Sequence, residues 1–154
     1  MPIAFLAVDW MVEGRKGDAT IGRKLFGTLG CAKCHAVTAD QPGGGAPSLA
    51  EAGKRFTPAH LAESVLIPDR VVAEEFRATR VATFDGQVIV GLVVKETATE
   101  LELLLPDTTR KVVKVADVEE RKLVATAMPA GLVKTPDELR HLITYLLSDR
   151  PLPP

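Results

Sequence analysis

The two cysteines of this 154-residue chain constrain its fold more than any other feature, because they lie three positions apart and a histidine follows directly. The segment reads Cys31-Ala32-Lys33-Cys34-His35. Small domains stapled by disulfides carry several cysteine pairs, so a disulfide scaffold is excluded. Aromatic residues make up only 5% of the chain. The core must therefore consist of Val, Leu, Ile and Ala side chains, or of a group that is not an amino acid.

The pattern C-x-x-C-H is typical of covalent haem attachment. Two thiols at this spacing can add across the two vinyl groups on one edge of the porphyrin. The imidazole that follows then lies under the ring centre, where it can bind iron. We predict one haem c, bound through Cys31 and Cys34, with His35 as an iron ligand. A zinc site would need four ligands and would have to include His60 and His141. A redox dithiol normally follows a strand, whereas this pair follows a predicted helix.

Met128 is the only methionine after the motif, and Pro129 follows it. A proline at the next position disfavours helical backbone angles at Met128. A thioether from this non-helical segment would complete a His/Met haem site, an arrangement that raises the reduction potential. The alternative is that Met128 fills a gap in the core.

Local signals predict three helices. The first spans Asp18–Leu29, with Asp18 as its N-cap and Gly30 after its end. The second begins at Thr57-Pro58. The last begins with a capping box, Thr135 to Glu138, and places His141 on its solvent side. The first helix should bury one apolar face, made of Ile21, Leu25, Phe26 and Leu29. The residues expected to line the haem or pack the helices are Leu25, Phe26, Leu29, Leu49, Phe56, Leu61, Val65, Leu139, Leu142, Ile143 and Leu146.

Residues 77–115 show no helical period and predict a small antiparallel meander of four strands. Asp85-Gly86 is a strong hairpin signal between the first two strands. Gly91, in the middle of a strand, indicates a bulge or a close backbone approach. The predicted strands are Thr79–Phe84, Gln87–Lys95, Glu100–Leu105 and Arg110–Val115. The meander could serve as a docking platform, as a dimer surface or as a cover for the haem, and we favour a cover on its distal side.

The motif and its surroundings resemble class I cytochromes c. Gly22 and Phe26 match positions where the first helix of that family crosses the last one, and Tyr145-Leu146 matches the pair on the last helix. Ala46-Pro47-Ser48-Leu49 lies where the family places a proline whose carbonyl accepts a hydrogen bond from the proximal histidine. Met128-Pro129 matches the distal loop. The cofactor-binding residues that the resemblance implies are Cys31, Cys34, His35, Pro47, Leu49 and Met128.

One departure from that pattern is the distance of 93 positions from His35 to Met128. The β-rich segment accounts for the excess length, and this combination is similar to the haem-binding domain of planctomycete and verrucomicrobial proteins. The resemblance implies a mainly α fold of class I cytochrome c type, with an inserted β meander. We expect an N-terminal arm over residues 1–16 and a cytochrome c domain over residues 17–154, with its insertion at about 77–118.

The function implied is outer-sphere electron transfer between a donor dehydrogenase and an acceptor oxidase or cytochrome, without enzymatic activity. The alternative is a haem peroxidase or gas sensor with a labile distal methionine. A net charge of −1 argues against nucleic acid as a partner. No apolar run is long enough for a membrane span. A homodimer through the insertion is a further expectation. Haem attachment at C-x-x-C-H implies export to the periplasm, with the signal missing here or upstream in a longer chain.

Basic residues concentrate around the motif. Residues 15–35 carry a local charge of +4, with Asp18 as the only acid. The basic residues are Arg15, Lys16, Arg23, Lys24 and Lys33. This cluster would steer an acidic partner toward the haem edge; alternatively, it is an ordinary solvated helix face.

Overall fold

A computed structural model of the chain describes residues 16–41, 45–148 and 153–154. The expected N-terminal arm lies outside the described residues except for Lys16. The described chain forms two compact units. The helical unit contains the residues up to Arg70 and those from Ala130 onward, and the β unit contains Val71–Pro129.

The described part of the helical unit contains four α-helices, and three of them begin directly after the predicted capping residues; the short helix Ala52–Arg55 was not predicted. The carboxylate of Asp18 accepts hydrogen bonds from the backbone N–H groups of the first turn, and the Thr57 and Thr135 hydroxyls cap their helices in the same way. Gly30 follows the first helix with a φ of +87°, as a C-terminal glycine does. The helices are α1 (Ala19–Thr28), α2 (Ala52–Arg55), α3 (Pro58–Leu66) and α4 (Pro136–Leu146).

Helices α1 and α4 cross at Gly22, as the resemblance implies. A Cβ at Gly22 would lie 2.0 Å from the carbonyl oxygen of His141, so only glycine allows this approach. One turn later Phe26 packs on Tyr145, with ring centroids 5.6 Å apart. The crossing anchors an apolar cluster of buried side chains. Its members are Phe26, Val37, Leu61, Ala62, Val133, Leu139, Leu142, Ile143, Tyr145 and Leu146.

Two details of this crossing differ from expectation. Ile21 was predicted on the buried face of α1, but 45% of its surface is exposed. His141 was predicted on the solvent side of the last helix, but its Nδ1 accepts a hydrogen bond of 2.8 Å from the backbone N–H of Asp18. The contact of His141 arises where two distant helices meet, which a helical period does not encode.

The capping carboxylate of Asp18 predicts a pH dependence of stability. Hydrogen bonds from the Ile21 and Thr20 backbone hold the pKa of Asp18 below its ordinary value of 3.8. The ionised carboxylate therefore stabilises the fold above that value, and the effect is lost as the pH falls through the lowered pKa. An Asp18→Ala variant should have a lower melting temperature than the wild type at neutral pH, and this difference should disappear in acid. A difference in melting temperature that stays constant from neutral to acid pH would contradict the capping role.

The β unit is a five-stranded antiparallel sheet. Asp85-Gly86 forms the predicted hairpin turn, with a φ of +89° at Gly86. A Cβ at Gly91 would lie 2.6 Å from the carbonyl oxygen of Leu104, which confirms the close backbone approach expected there. The strands are β1 (Arg77–Thr83), β2 (Val88–Glu96), β3 (Glu100–Leu104), β4 (Arg110–Lys114) and β5 (Val118–Thr126). Their order across the sheet is β4-β3-β2-β1-β5.

The prediction of a mainly α fold is wrong, because the structure is 33% helical and 27% strand. Part of the difference is β5, which the sequence reading missed. Its first half is charged and mostly exposed, without the alternation that marks a half-buried strand. Pairing with β1 holds it instead, with Val81 opposite Arg121 and Arg80 Nη1 3.1 Å from Glu120 Oε2.

Candidate haem-binding site

The C-x-x-C-H motif begins in a single 3₁₀ turn, Cys31–Lys33, directly after α1. The left-handed backbone of Gly30 turns the chain into it. The carbonyl oxygen of Cys31 accepts hydrogen bonds from the backbone N–H groups of Cys34 and His35, at 3.2 and 2.9 Å. Neither cysteine forms a disulfide, and both are partly buried. The turn therefore places two reduced thiols and an imidazole within one short, backbone-bonded segment.

Pro47 lies against His35 as the resemblance implies. The Nδ1 atom of His35 is 2.7 Å from the carbonyl oxygen of Pro47. Since a carbonyl can only accept, Nδ1 carries the proton and donates it. Among the described residues the ring makes no other hydrogen bond. The contact thus fixes the tautomer that leaves Nε2 as a lone-pair donor for a metal.

Two more hydrogen bonds connect the motif to the following loop. The backbone N–H of Leu49 donates to the carbonyl oxygen of Ala36 at 2.8 Å. The side-chain Oε1 of Gln41 accepts from the backbone N–H of Val37 at 2.9 Å. The sequence reading did not anticipate the role of Gln41, because nothing in a local pattern marks a glutamine that caps a neighbouring loop. The turn-rich loop itself is described only at Gln41 and from Gly45 onward.

Burial sets the protonation of the donor groups. It raises the pKa of the Cys31 thiol to about 11 and also raises the pKa of Cys34. Burial also lowers the pKa of His35, although the hydrogen bond to Pro47 acts in the opposite direction and raises it. At neutral pH the imidazole is therefore neutral, which is the form that binds iron. Two thiols, one neutral imidazole and a fixed tautomer fit a covalently attached haem.

The surroundings of the motif are apolar. Partly buried hydrophobic side chains pack against the core cluster, among them Leu29, Cys31, Ala32, Leu49, Phe56, Val65 and Leu66. Four of these were expected to line the haem or pack the helices: Leu29, Leu49, Phe56 and Val65. An apolar shell of this kind disfavours extra charge on iron and raises the reduction potential. Among the described residues, no three His, Cys, Asp or Glu side chains are grouped to hold a metal ion by themselves.

Met128 belongs to the β unit and follows β5. Its backbone N–H donates to the hydroxyl of Thr126 at 3.0 Å, and the residue lies in a partly buried, non-helical bend. The non-helical backbone expected before Pro129 is therefore present. Its role as an iron ligand stays a prediction.

The expected basic cluster is exposed where the structure describes it, at Lys16, Arg23, Lys24 and Lys33. Arg23 donates from Nε to the carbonyl oxygen of Pro153 at 2.7 Å. Arg15 lies outside the described residues. No helix in the described part of the chain has the length and apolar character needed to cross a membrane.

A comparison with known protein families finds a similarity over part of the chain. A family model for cytochrome c matches residues 19–87. The matched segment begins at α1 and includes the whole motif, Pro47 and Leu49, and the β1–β2 turn. A search of the curated proteins gave no match. The cytochrome c family binds iron as covalent haem c and serves electron transport. Residues 19–87 are therefore similar to cytochrome c, and within them Cys31 and Cys34 have the spacing that attaches haem c.

Proposed function

We propose that this chain is a monohaem electron carrier in which His35 and Met128 would both bind the haem iron. It would act alone or as the carrier module of a larger redox protein. The observation that carries the proposal is the 2.7 Å contact between His35 Nδ1 and the Pro47 carbonyl oxygen. That contact prepares Nε2 as a ligand and makes the imidazole a better electron donor.

The bound haem would supply a one-electron couple, and the chain's residues would set its properties. Cys31 and Cys34 would hold the haem covalently, and the neutral imidazole of His35 would provide a nitrogen ligand to its iron. The thioether of Met128 would be the second protein ligand and would favour the ferrous state. With both ligands bound, oxygen and peroxide would reach the iron only by displacing one of them. This favours outer-sphere electron transfer over the alternative peroxidase or sensor activity.

Replacing Met128 by leucine tests the second ligand. Leucine keeps the side-chain volume but has no sulfur, so a residue that only packs should tolerate the change. We expect the ferrous Met128→Leu protein to bind carbon monoxide promptly, whereas the wild type binds it slowly. An unchanged visible spectrum and unchanged carbon monoxide binding in the variant would show that Met128 is a packing residue.

The exposed basic cluster supports an acidic redox partner. The positively charged side chains around the motif would steer a negatively charged partner surface toward the haem edge. The rate of electron transfer with such a partner should fall as ionic strength rises, because salt screens the attraction. A Lys24→Glu, Lys33→Glu protein should show a weaker salt dependence. A wild-type rate that does not respond to salt would mean that the cluster is only a solvated surface.

The organisation of the chain follows the same proposal. Residues 17–154 would form one cytochrome c domain, and the β-rich insertion expected at about 77–118 extends with β5 to Thr126. The combination of a cytochrome c pattern with a β-rich insertion favours a relationship to the haem-binding domain of planctomycete and verrucomicrobial proteins. Export to the periplasm follows from the chemistry of haem attachment. The edge strand β5 has one neighbour in the described sheet and supports a homodimer, which the molar mass in solution would reveal.

A further inference from the structure

Strand β5 is an edge of the described sheet, in which β1 is its only neighbour. Its pairing with β1 is regular from Glu120 to Leu123, and the register shifts beyond each end of this stretch. The side chains of the stretch are exposed, including 49% of the surface of Leu123. The outer side of an edge strand presents backbone N–H and C=O groups to which a further strand can add. The stretch is therefore accessible for pairing with another strand.

Glu120 and Lys122 lie two positions apart, so their side chains share one face of the sheet. Their partners in β1 are Ala82 and Arg80. Oε2 of Glu120 is 3.1 Å from Nη1 of Arg80, and its Oε1 is 4.0 Å from Nζ of Lys122. This face of the edge strand thus carries an acid and a base in a fixed order along the chain.

That order of charges fits a reversed copy of the same strand. When two copies pair antiparallel about a two-fold axis, the residue at the axis lies opposite its own copy. The residue before the axis then lies opposite the residue after it. With Arg121 at the axis, Glu120 of each copy lies opposite Lys122 of the other. Opposite charges directly across a ladder stabilise the pairing, whereas like charges destabilise it.

Arg121 can lie at the axis because its charge is already paired. Its Nη1 and Nη2 atoms donate to the two carboxylate oxygens of Glu96, at 2.8 and 3.1 Å. These hydrogen bonds hold the pKa of Glu96 below its ordinary value, so the carboxylate is ionised at neutral pH. With Glu120 at the axis instead, two carboxylates would meet. The neighbouring pairs would then need Glu119, which the regular ladder with β1 skips.

The opposite edge of the sheet does not match its own copy. Strand β4 carries Arg110, Lys111 and Lys114 and no acid. A reversed copy of β4 would therefore set like charges against each other. Pairing through β5 uses the same surface on both copies, so it closes after two chains and does not continue into a fibre.

We propose that β5 binds a second copy of this chain by antiparallel pairing about a two-fold axis at Arg121. The two five-stranded sheets would then form one continuous sheet across the dimer. The inference rests on the homodimer proposed above and assigns its interface. It does not depend on the ligands of the haem iron.

Charge reversal at β5 tests this register in the haem-loaded protein. Glu120→Lys sets two bases opposite each other at both symmetry-related pairs. We expect the dissociation constant of the dimer, measured by sedimentation equilibrium, to rise about ten-fold. Lys122→Glu should weaken the dimer in the same way. The double variant Glu120→Lys, Lys122→Glu exchanges the two charges and should restore the dimer, and Arg80 keeps an acid opposite it at position 122.

Lys114→Glu is the matched control, because it reverses the charge of an exposed residue on the opposite edge strand. It should leave the dissociation constant unchanged, and circular dichroism of each variant should match the wild type. A wild type that stays monomeric up to about 1 mM, where even weak complexes form, would overturn the homodimer and its interface together. A dimer that Glu120→Lys leaves intact, or that the double exchange does not restore, would overturn the interface alone. Failure of the proposed iron ligands would appear in the visible spectrum and not in the molar mass.

Discussion

A protein in which Cys31 and Cys34 are both replaced by serine should lose covalently bound haem completely. Serine hydroxyls do not form thioethers with the vinyl groups, and among the described residues no other thiol exists to replace them. After denaturing electrophoresis the wild type should retain its haem stain, and the double variant should retain none. The single variants should keep one thioether each, which the spectrum of the reduced pyridine complex distinguishes from two.

Lys33→Ala is a suitable control for this experiment, because Lys33 lies between the two cysteines and its side chain is exposed. It should keep full attachment, so a loss in the double variant cannot be ascribed to disturbance of the 3₁₀ turn alone. Haem that survives acid–acetone extraction of the double variant would contradict attachment through these thiols.

The second large effect is expected at Gly22. An alanine there would place its Cβ 2.0 Å from the carbonyl oxygen of His141 and 2.7 Å from the Cβ of Tyr145. Neither atom is the end of a flexible side chain, so α1 and α4 must move apart. Overpacking of this kind costs about 3 kcal/mol or more. In denaturant unfolding monitored by circular dichroism, the alanine variant should unfold at a lower midpoint concentration of denaturant than the wild type.

Gly27→Ala provides the matched comparison within the same helix. The nearest atoms to a Cβ at Gly27 belong to the Pro154 ring, the closest at 3.2 Å. Replacing a helical glycine by alanine favours the helix by about 1 kcal/mol, which offsets a mild contact. Stability should therefore stay near that of the wild type. Equal loss of stability in both variants would mean that the crossing at Gly22 is not the cause.

The parts of the structure that were predicted correctly depend on neighbouring residues. Asp18, Thr57 and Thr135 cap helices through hydrogen bonds to backbone groups within three positions, so their residue types are informative without the rest of the fold. The Asp85-Gly86 turn is similarly local. The crossing at Gly22 could be expected only through the resemblance to a known family.

The parts that were missed depend on distant contacts. Strand β5 is stabilised by pairing with β1, about forty positions earlier, and its charged first half carries no strand signal of its own. The same holds for His141, whose ring accepts from Asp18 across the helix crossing. Arg55, the last residue of a four-residue helix, donates from Nη2 to the carbonyl oxygen of Ser48 at 2.6 Å, a contact that no local pattern predicts.

The visible spectrum of the haem-loaded protein, oxidised and reduced, with and without carbon monoxide, tests the central claim most directly. Ligation by His35 and Met128 predicts a low-spin spectrum, with the weak far-red band of an iron–thioether bond in the ferric state and no rapid binding of carbon monoxide in the ferrous state. A high-spin ferric spectrum with prompt carbon monoxide binding would contradict the closed site and favour a peroxidase or sensor instead.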